Sequence, residues 1–273
     1  MISRDLELVS FLQWALPRMG LRWRGFRKVR GQVGKRLRRR LSALKIADLE
    51  SYADYLRANH SEWEFVRAAC HITISRFYRD RAIMDTIFDQ VLPDLAARAR
   101  SSSRQRVTAW CLGIASGEEP YTLSLGWRYH RSSILPELRF EIVGVDSDSD
   151  MIERAKQGVY PASSLKELPV AWIDEAFIRY RGDFELRPQY REGVRFVEVD
   201  LANSLPVGTP DLVLCRNSVF TYFDDVGQDQ VLEQLSLRME KSSYLVLGAH
   251  ETLPQPPRGF ETIGPTSIYR LVR

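Results

Sequence analysis

From Val107 onward the hydrophobic rhythm of the chain changes, and that change limits what it can fold into. Short apolar runs at Val107–Ile114, Phe140–Val145, Val194–Val199, Asp211–Cys215 and Tyr244–Leu247 alternate with helix-like stretches at Pro120–Tyr129, Asp150–Lys156 and Val226–Met239. Such runs, closed by polar or glycine-containing turns, read as strands buried on both faces. Strands that alternate with helices require a mostly parallel sheet covered on both sides, so the fold class is α/β. Gly259–Ile263 and Ser267–Leu271 read as a closing antiparallel pair. Between Tyr160 and Gly193 the alternation lapses. Phe177–Tyr180 and Phe184–Leu186, separated by Arg-Gly-Asp, read as a small hairpin inserted in the sheet.

The first hundred residues follow a different period. Leu6, Val9, Phe11, Leu12 and Leu16 predict a short helix that stops near Pro17. Val29, Val33, Leu37, Leu41 and Leu44 lie on one stripe of a second helix. Asp48 reads as the cap of a third, which holds Tyr52, Tyr55 and Leu56. Further helical segments are expected at Ser61–Ala69 and Arg81–Ala99. The polar run Ser101–Arg106 then reads as a linker. These boundaries predict an all-helical domain over residues 1–100 and a second domain over 101–273, with the small antiparallel β insertion at about 170–193.

Charge is spread unevenly. Leu8 to Ala47 contains no Asp or Glu, whereas Arg18 to Lys45 holds twelve Lys and Arg. Removing those twelve from the 39 bases leaves 27 against 35 acids, so the rest of the chain is net −8. The helical domain should therefore attract an acidic partner. A basic face can also bind nucleic acid, or be only the solvated side of an amphipathic helix. A protein is preferred to nucleic acid because no aromatic stacking platform interleaves with these bases. Trp14 and Trp23 are close in sequence but are equally readable as core.

Other classes recede. No run of 18 or more apolar residues exists, so membrane insertion is not expected. The opening Met-Ile-Ser-Arg-Asp-Leu-Glu places acids where a signal peptide needs a basic and then an apolar region, so a cytoplasmic location is expected, with a monomer as the expected state. Cys70, Cys111 and Cys215 form no Cys-x-x-Cys pair, and Cys111 and Cys215 read as buried hydrophobes. His60, His71, His130 and His250 show no ligand spacing, so no metal is expected.

The chemistry is concentrated at strand ends. The first strand runs into Leu112-Gly113-Ile114-Ala115-Ser116-Gly117-Glu118-Glu119-Pro120-Tyr121. Gly113 and Gly117 at a strand-to-helix turn allow backbone to approach a ligand closely. Asp146 ends the next strand, where an acid can accept hydrogen bonds from both hydroxyls of a ribose. Glu118 and Glu119 stand where a pyrophosphate would want no acid, which disfavours NAD and ATP. The pattern suits a phosphate-free, cationic nucleoside such as S-adenosylmethionine. The plainer alternative is a glycine turn with a solvated glutamate pair.

Four segments in register carry a more specific likeness. Gly117-Glu118-Glu119-Pro120-Tyr121-Thr122 resembles the Gly-Glu-Glu-Pro-Tyr-Ser signature of the chemotaxis receptor methyltransferases, the CheR family. Ser75-Arg76-Phe77-Tyr78-Arg79-Asp80 resembles that family's Thr-x-Phe-Phe-Arg-Asp/Glu. Cys215-Arg216-Asn217 followed by Tyr222-Phe223-Asp224 resembles its Cys-Arg-Asn-x-x-Ile-Tyr-Phe-Asp, and Lys156–Tyr160 is similar to a further segment. Together they cover roughly residues 20–272. The interval from Asn217 to Tyr222 is one residue longer than is usual in the family, and Thr73 and Asp200 stand where asparagines are common.

The resemblance implies a Rossmann-like methyltransferase sheet that uses S-adenosylmethionine and releases S-adenosylhomocysteine. It implies that Thr73, Ser75 and Arg79 lie at the methionine end of the cofactor. Glu119 would meet its amino group and Asp146 its ribose. Asp200 and Leu201 would flank the adenine, and Arg216 and Asn217 would line the pocket. Arg36 matches a receptor contact, with Arg38 and Arg39 beside it. The implied reaction is methylation of glutamate carboxylates on an acidic helical protein, such as the cytoplasmic helix of a chemoreceptor. Arg79 and Tyr222 are the candidates for orienting the incoming carboxylate, since Arg can pair with both oxygens. Two alternatives remain open: a methyltransferase of the same fold acting on another protein, an RNA or a small molecule, and a non-catalytic module that binds the cofactor as a signal. In some members of the family the region of the hairpin captures a receptor tail by strand addition, an option left open for Phe177–Leu186.

Overall fold

The computed structural model describes residues 2–130, 138–254, 258–263 and 267–273, with side chains from Asp5 onward. The chain divides into two compact units. One comprises residues 1–72 and 221–227, the other residues 73–220 and 228–273. The expected boundary near residue 100 thus differs from the one that packing draws. The reason lies in residues 81–101. The helix Arg81–Thr86, the π-helical turn Ile87–Val91 and the helix Leu92–Ser101 follow without a break. Their buried stripe, Ile83, Ile87, Phe88, Leu92, Leu95 and Ala99, belongs to the same apolar core as Val107, Leu123 and Leu212 of the sheet unit. A helix goes with the surface that buries its stripe, and sequence proximity does not decide it.

Among the described residues the sheet unit holds ten strands: β1 Arg106–Leu112, β2 Arg139–Asp146, β3 Val159–Tyr160, β4 Phe177–Tyr180, β5 Asp183–Leu186, β6 Val194–Glu198, β7 Leu212–Leu214, β8 Tyr244–Val246, β9 Phe260–Thr262 and β10 Ile268–Leu271. Seven form one sheet in the order β6-β2-β1-β7-β8-β10-β9. Its first five are parallel, with Val107 opposite Phe140 and Leu112 opposite Val145 in the β1–β2 pair. The closing pair β9 and β10 is antiparallel, as the sequence predicts. The chain moves from β1 to β2 on one side and, after β6, crosses to β7 on the other. The carboxyl ends of β1 and β7 therefore flank a switch point, the usual place for a ligand crevice in an open α/β sheet. The hairpin of β4 and β5 forms as expected, but not within that sheet. It pairs with β3 in a separate three-stranded sheet, order β3-β5-β4. A two-residue strand such as β3 is too short to show a period in the sequence.

The other unit is helical: Ile2–Ala15, a 3₁₀ turn Leu16–Met19, Trp23–Phe26, Arg30–Leu44, Leu49–Ala58 and Glu62–Ala69. Val33, Leu37 and Leu41 of the basic helix are buried, with Val29 and Leu44 packed at the margin. Trp14 and Trp23 also pack against this core. Asp48 caps its helix through Ser51 N–H at 2.8 Å. Residues 221–227 belong here through Arg22 N–H to Tyr222 O and Asp224 N–H to Gly20 O, both 2.9 Å. No described helix is long and apolar enough to cross a membrane.

Two arginines of the basic helix turn inward. Arg40 grips Glu62 with two hydrogen bonds of 2.8 and 2.7 Å, and Tyr52 donates its hydroxyl to the same carboxylate at 2.6 Å. The Arg40 bonds, with help from Tyr52 and against the cost of burial, hold the Glu62 carboxyl below its usual range. Arg36 is half-buried and donates to Ala69 O at 3.0 Å and to His71 O, so it ties down the end of the Glu62–Ala69 helix. Arg38 and Arg39 are exposed.

Glu62→Gln should destabilise the chain by roughly 1–3 kcal/mol in urea unfolding at pH 7, because it removes the ionised acceptor of a charged network. A carboxylate whose folded pKa is depressed contributes stability that is lost as pH falls through that pKa. The gap between wild type and variant should therefore close below the ordinary carboxylate range. A gap that stays constant with pH would exclude the ionic role.

Candidate cofactor-binding site

The site is built where β1, β2, β6, β7 and β8 end. After β1 the chain turns sharply. Gly113 has φ +79° and its N–H donates to Val145 O at 2.9 Å. A Cβ there would stand 2.6 Å from Ser218 Cβ. Gly117, φ +90°, precedes the helix Glu118–Tyr129, and a Cβ on it would meet Ala155 Cβ at 2.8 Å. Both positions demand glycine on conformation and on space. The result is a tight turn between them in which Ile114, Ala115 and Ser116 are buried.

Asp146 closes β2 and is 3% exposed. Its carboxylate accepts the Ala115 N–H at 2.8 Å and the Asp148 N–H at 3.1 Å. It thereby anchors the glycine turn to the end of the neighbouring strand. Asp148 caps the next helix by accepting from Asp150 and Met151 N–H. The segment after β6 is fastened to the same point, since Val199 N–H donates to Asp146 O at 2.9 Å. Asp200 is exposed and shapes its own turn, accepting from Ala202 N–H and from the Asn203 side-chain amide at 3.0 and 2.7 Å. Leu201 beside it is buried.

The glutamate pair is not solvated. Glu118 is 2% exposed, and the hydroxyls of Ser116, Ser75 and Ser164 hydrogen-bond to its carboxylate. Burial still pushes its carboxyl above the usual range. Glu119 receives Arg216 Nη1 at 2.6 Å, and burial raises its carboxyl despite that partner. Arg216 is itself only 2% exposed. Its Nη2 donates to Arg79 O at 2.6 Å and to Asp80 Oδ2 at 3.0 Å, while its Nε is buried with no protein acceptor. Burial works against the Asp80 charge. Arg216, Arg79 and the Ala249 N–H outweigh it and hold that carboxyl below the usual range.

Arg79 completes the network. Its Nη2 donates to Asn217 Oδ1 at 3.1 Å and its Nη1 to Ile74 O at 3.3 Å. Asn217 lies in the left-handed region at φ +54°, and its N–H is held by Glu251 Oε2 at 2.8 Å. Thr73, half-buried, starts this unit. Of the residues singled out in the sequence, Thr73, Ser75, Arg79, Gly113, Gly117, Glu119, Asp146, Asp200, Leu201, Arg216 and Asn217 all lie in the sheet unit. Tyr222 lies in the helical unit, its ring 5.0 Å from that of Phe26, and so do Arg36, Arg38 and Arg39.

Ser164 and Glu251 escaped the sequence, and Asp80 stood in the Ser75–Asp80 segment without a role. Asp80 directly follows Arg79, and Glu251 stands three residues after Gly248 at the end of β8; an acid just beyond a strand-end glycine is the available signal. Cys111 and Cys215 are fully buried, and burial pushes the Cys215 thiol up to about 12, which makes it a poor nucleophile. No group of three His, Cys, Asp or Glu among the described residues could hold a metal. The donor set instead offers carboxylates, two guanidiniums and an orphaned buried N–H beside a glycine cradle. That combination fits a phosphate-free nucleoside bearing both cationic groups and a carboxylate.

Comparison with known proteins agrees. The model of the CheR methyltransferase SAM-binding domain matches residues 73–269, more than half of the chain, and starts at the residue where the sheet unit starts. A chemotaxis protein methyltransferase of Salmonella typhimurium is 29% identical over 251 residues, 89% of this chain and 82% of that protein. Chemotaxis protein methyltransferase 2 of Vibrio cholerae is 29% identical over 227 residues, 81% of this chain and 77% of that protein. An uncharacterized 104.1 kDa protein of Rhodobacter capsulatus is 29% identical over 235 residues, 85% of this chain but 24% of that longer protein. The chain belongs to the CheR methyltransferase family and is an S-adenosylmethionine-dependent methyltransferase.

Proposed function

We propose that this chain methylates glutamate carboxylates of an acidic helical protein, such as the cytoplasmic helix of a chemoreceptor. The observation that carries the reading is the arrangement of side chains at the carboxyl ends of β1, β2 and β7. There the glycine turn, Asp146 and the Glu119–Arg216–Arg79 cluster match the groups of a zwitterionic nucleoside. In this reading Asp146 holds the ribose, and Asp200 and Leu201 flank the adenine. Glu119 meets the amino group, Thr73, Ser75 and Arg79 meet the methionine end, and Arg216 and Asn217 line the pocket. S-adenosylmethionine, when bound, supplies an electrophilic methyl on its sulfonium.

The chain then has one task, which is positioning. A glutamate acceptor is already ionised at neutral pH, so no general base is required. Arg79 orients the incoming carboxylate, and orientation supplies the rate. Docking falls to the exposed Arg38 and Arg39. Arg36 contributes chiefly by fixing the helix end it is bonded to. One observation favours a second reading, in which the acceptor is a different protein, an RNA or a small molecule, or in which the cofactor is bound without transfer. The interval from Asn217 to Tyr222 is one residue longer than the family pattern, and Tyr222 is packed on Phe26.

Methyl label transferred to an acidic receptor fragment should be released by alkali, because carboxyl methyl esters hydrolyse there. Alkali-stable label, or binding without any transfer, would replace the first reading with the second. Asp146→Ala should weaken S-adenosylhomocysteine binding by about tenfold or more in calorimetry, the effect of losing hydrogen bonds to a charged group. Unchanged affinity would displace the ribose from Asp146. Reversing Arg38 and Arg39 to Glu should leave that affinity unchanged and lower transfer to the acidic fragment by about tenfold or more. Equal transfer would remove the docking role.

A further inference from the structure

We infer that Glu251 is a positioning residue of the cofactor site, acting through Asn217 on Arg79. The inference rests on the reading that Arg79 meets the methionine end of the cofactor. Glu251 is 7% exposed and follows the end of β8. A single oxygen, Oε2, accepts the Asn217 N–H at 2.8 Å and the Gly248 N–H at 2.7 Å. Those two groups lie just beyond β7 and β8, which pair in parallel. One charged acceptor therefore clamps the loops that leave two neighbouring strands, with the added strength of charge-assisted hydrogen bonds.

The clamp matters because of what Asn217 has to do. Its backbone is left-handed, φ +54°, a conformation a non-glycine residue keeps only where its surroundings impose it. Holding its N–H on Glu251 is such an imposition. Its side-chain amide is packed against Gly248. A Cβ at that glycine would come within 2.9 Å of Asn217 Nδ2 and 2.8 Å of Glu251 Oε2. With Nδ2 on that side, Oδ1 faces Arg79 Nη2 at 3.1 Å. Glu251 thus fixes the Asn217 backbone, Gly248 leaves room for one placement of its amide, and the amide fixes a guanidinium. None of these steps needs Glu251 to touch the cofactor.

The test uses the full chain and S-adenosylhomocysteine as the calorimetric probe. Glu251→Ala should weaken binding by about tenfold, and Glu251→Gln, which keeps an oxygen acceptor, by no more than about threefold. Gly248→Ala, which crowds the same amide and leaves the Glu251 charge in place, should also weaken it and covers the case in which Glu251→Ala does not fold. Combined with Arg79→Ala, neither Glu251→Ala nor Gly248→Ala should add more than about twofold, because residues acting through one another are not additive. Full multiplication of the effects, or wild-type affinity in a folded Glu251→Ala, would overturn the inference and leave the cofactor site standing. A wild-type chain that takes up no S-adenosylhomocysteine would instead overturn the placement of the cofactor itself.

Discussion

A guanidinium taken out of water must be paired, and the ends of β1 and β7 are organised around one that is. Arg216 is 2% exposed, so its charge is tolerable only with partners close at hand. It finds Glu119 on the helix that follows the glycine turn, and Asp80 and the Arg79 carbonyl on the segment that precedes Arg81. Satisfying this one charge therefore fixes where the segment 73–80 lies over the ends of β1 and β7. The remaining nitrogen, Nε, is buried without a protein acceptor.

The same region concentrates backbone strain. Tyr78, Asp80, Ala115 and Asn217 all have positive φ without being glycine. Each has a bond at or next to it that keeps it there. Tyr78 N–H donates to Thr122 Oγ1 at 3.1 Å, Phe77 N–H to Ser164 O at 3.0 Å, Ala115 N–H to Asp146 and Asn217 N–H to Glu251. Arg216 holds Asp80. Strain of this kind persists where surrounding contacts over-determine the conformation, and it is tolerated where it aims functional groups. Methyl transfer depends on placing donor and acceptor in line and benefits from such rigidity, because each degree of freedom removed in advance does not have to be removed in the transition state.

Much of this was readable in the chain, and the unreadable part has a common cause. The parallel strands, the Asp48 cap, the glycine turn and the strand-end Asp146 depend on residues within a few positions of one another, so local pattern reveals them. The burial of Glu118 does not. It depends on Ser75 and Ser164, more than forty residues away on either side. Glu251 was missed for the same reason, since its partner Asn217 is 34 positions distant. The unit boundary failed on the helices after Asp80, whose apolar stripe fits either neighbour until the sheet is assembled. A receptor contact is expected at Arg36 because a charge run shows how many cations it holds and not which of them bend back to a carbonyl.

That last distinction limits what the basic helix can contribute to recognition. Arg36 and Arg40 are engaged within their own unit, and Arg30 is paired with Asp5 at 3.1 Å. The positive surface on that helix therefore rests on Lys35, Arg38 and Arg39, all exposed. Exposed pairs contribute up to about 1 kcal/mol each, and their field is screened beyond about 8 Å at physiological salt. In the proposed docking role, three such charges steer an acidic partner without holding it tightly. The strong, desolvated charges lie instead at the strand ends, where Arg216 pairs with Glu119 and Asp80.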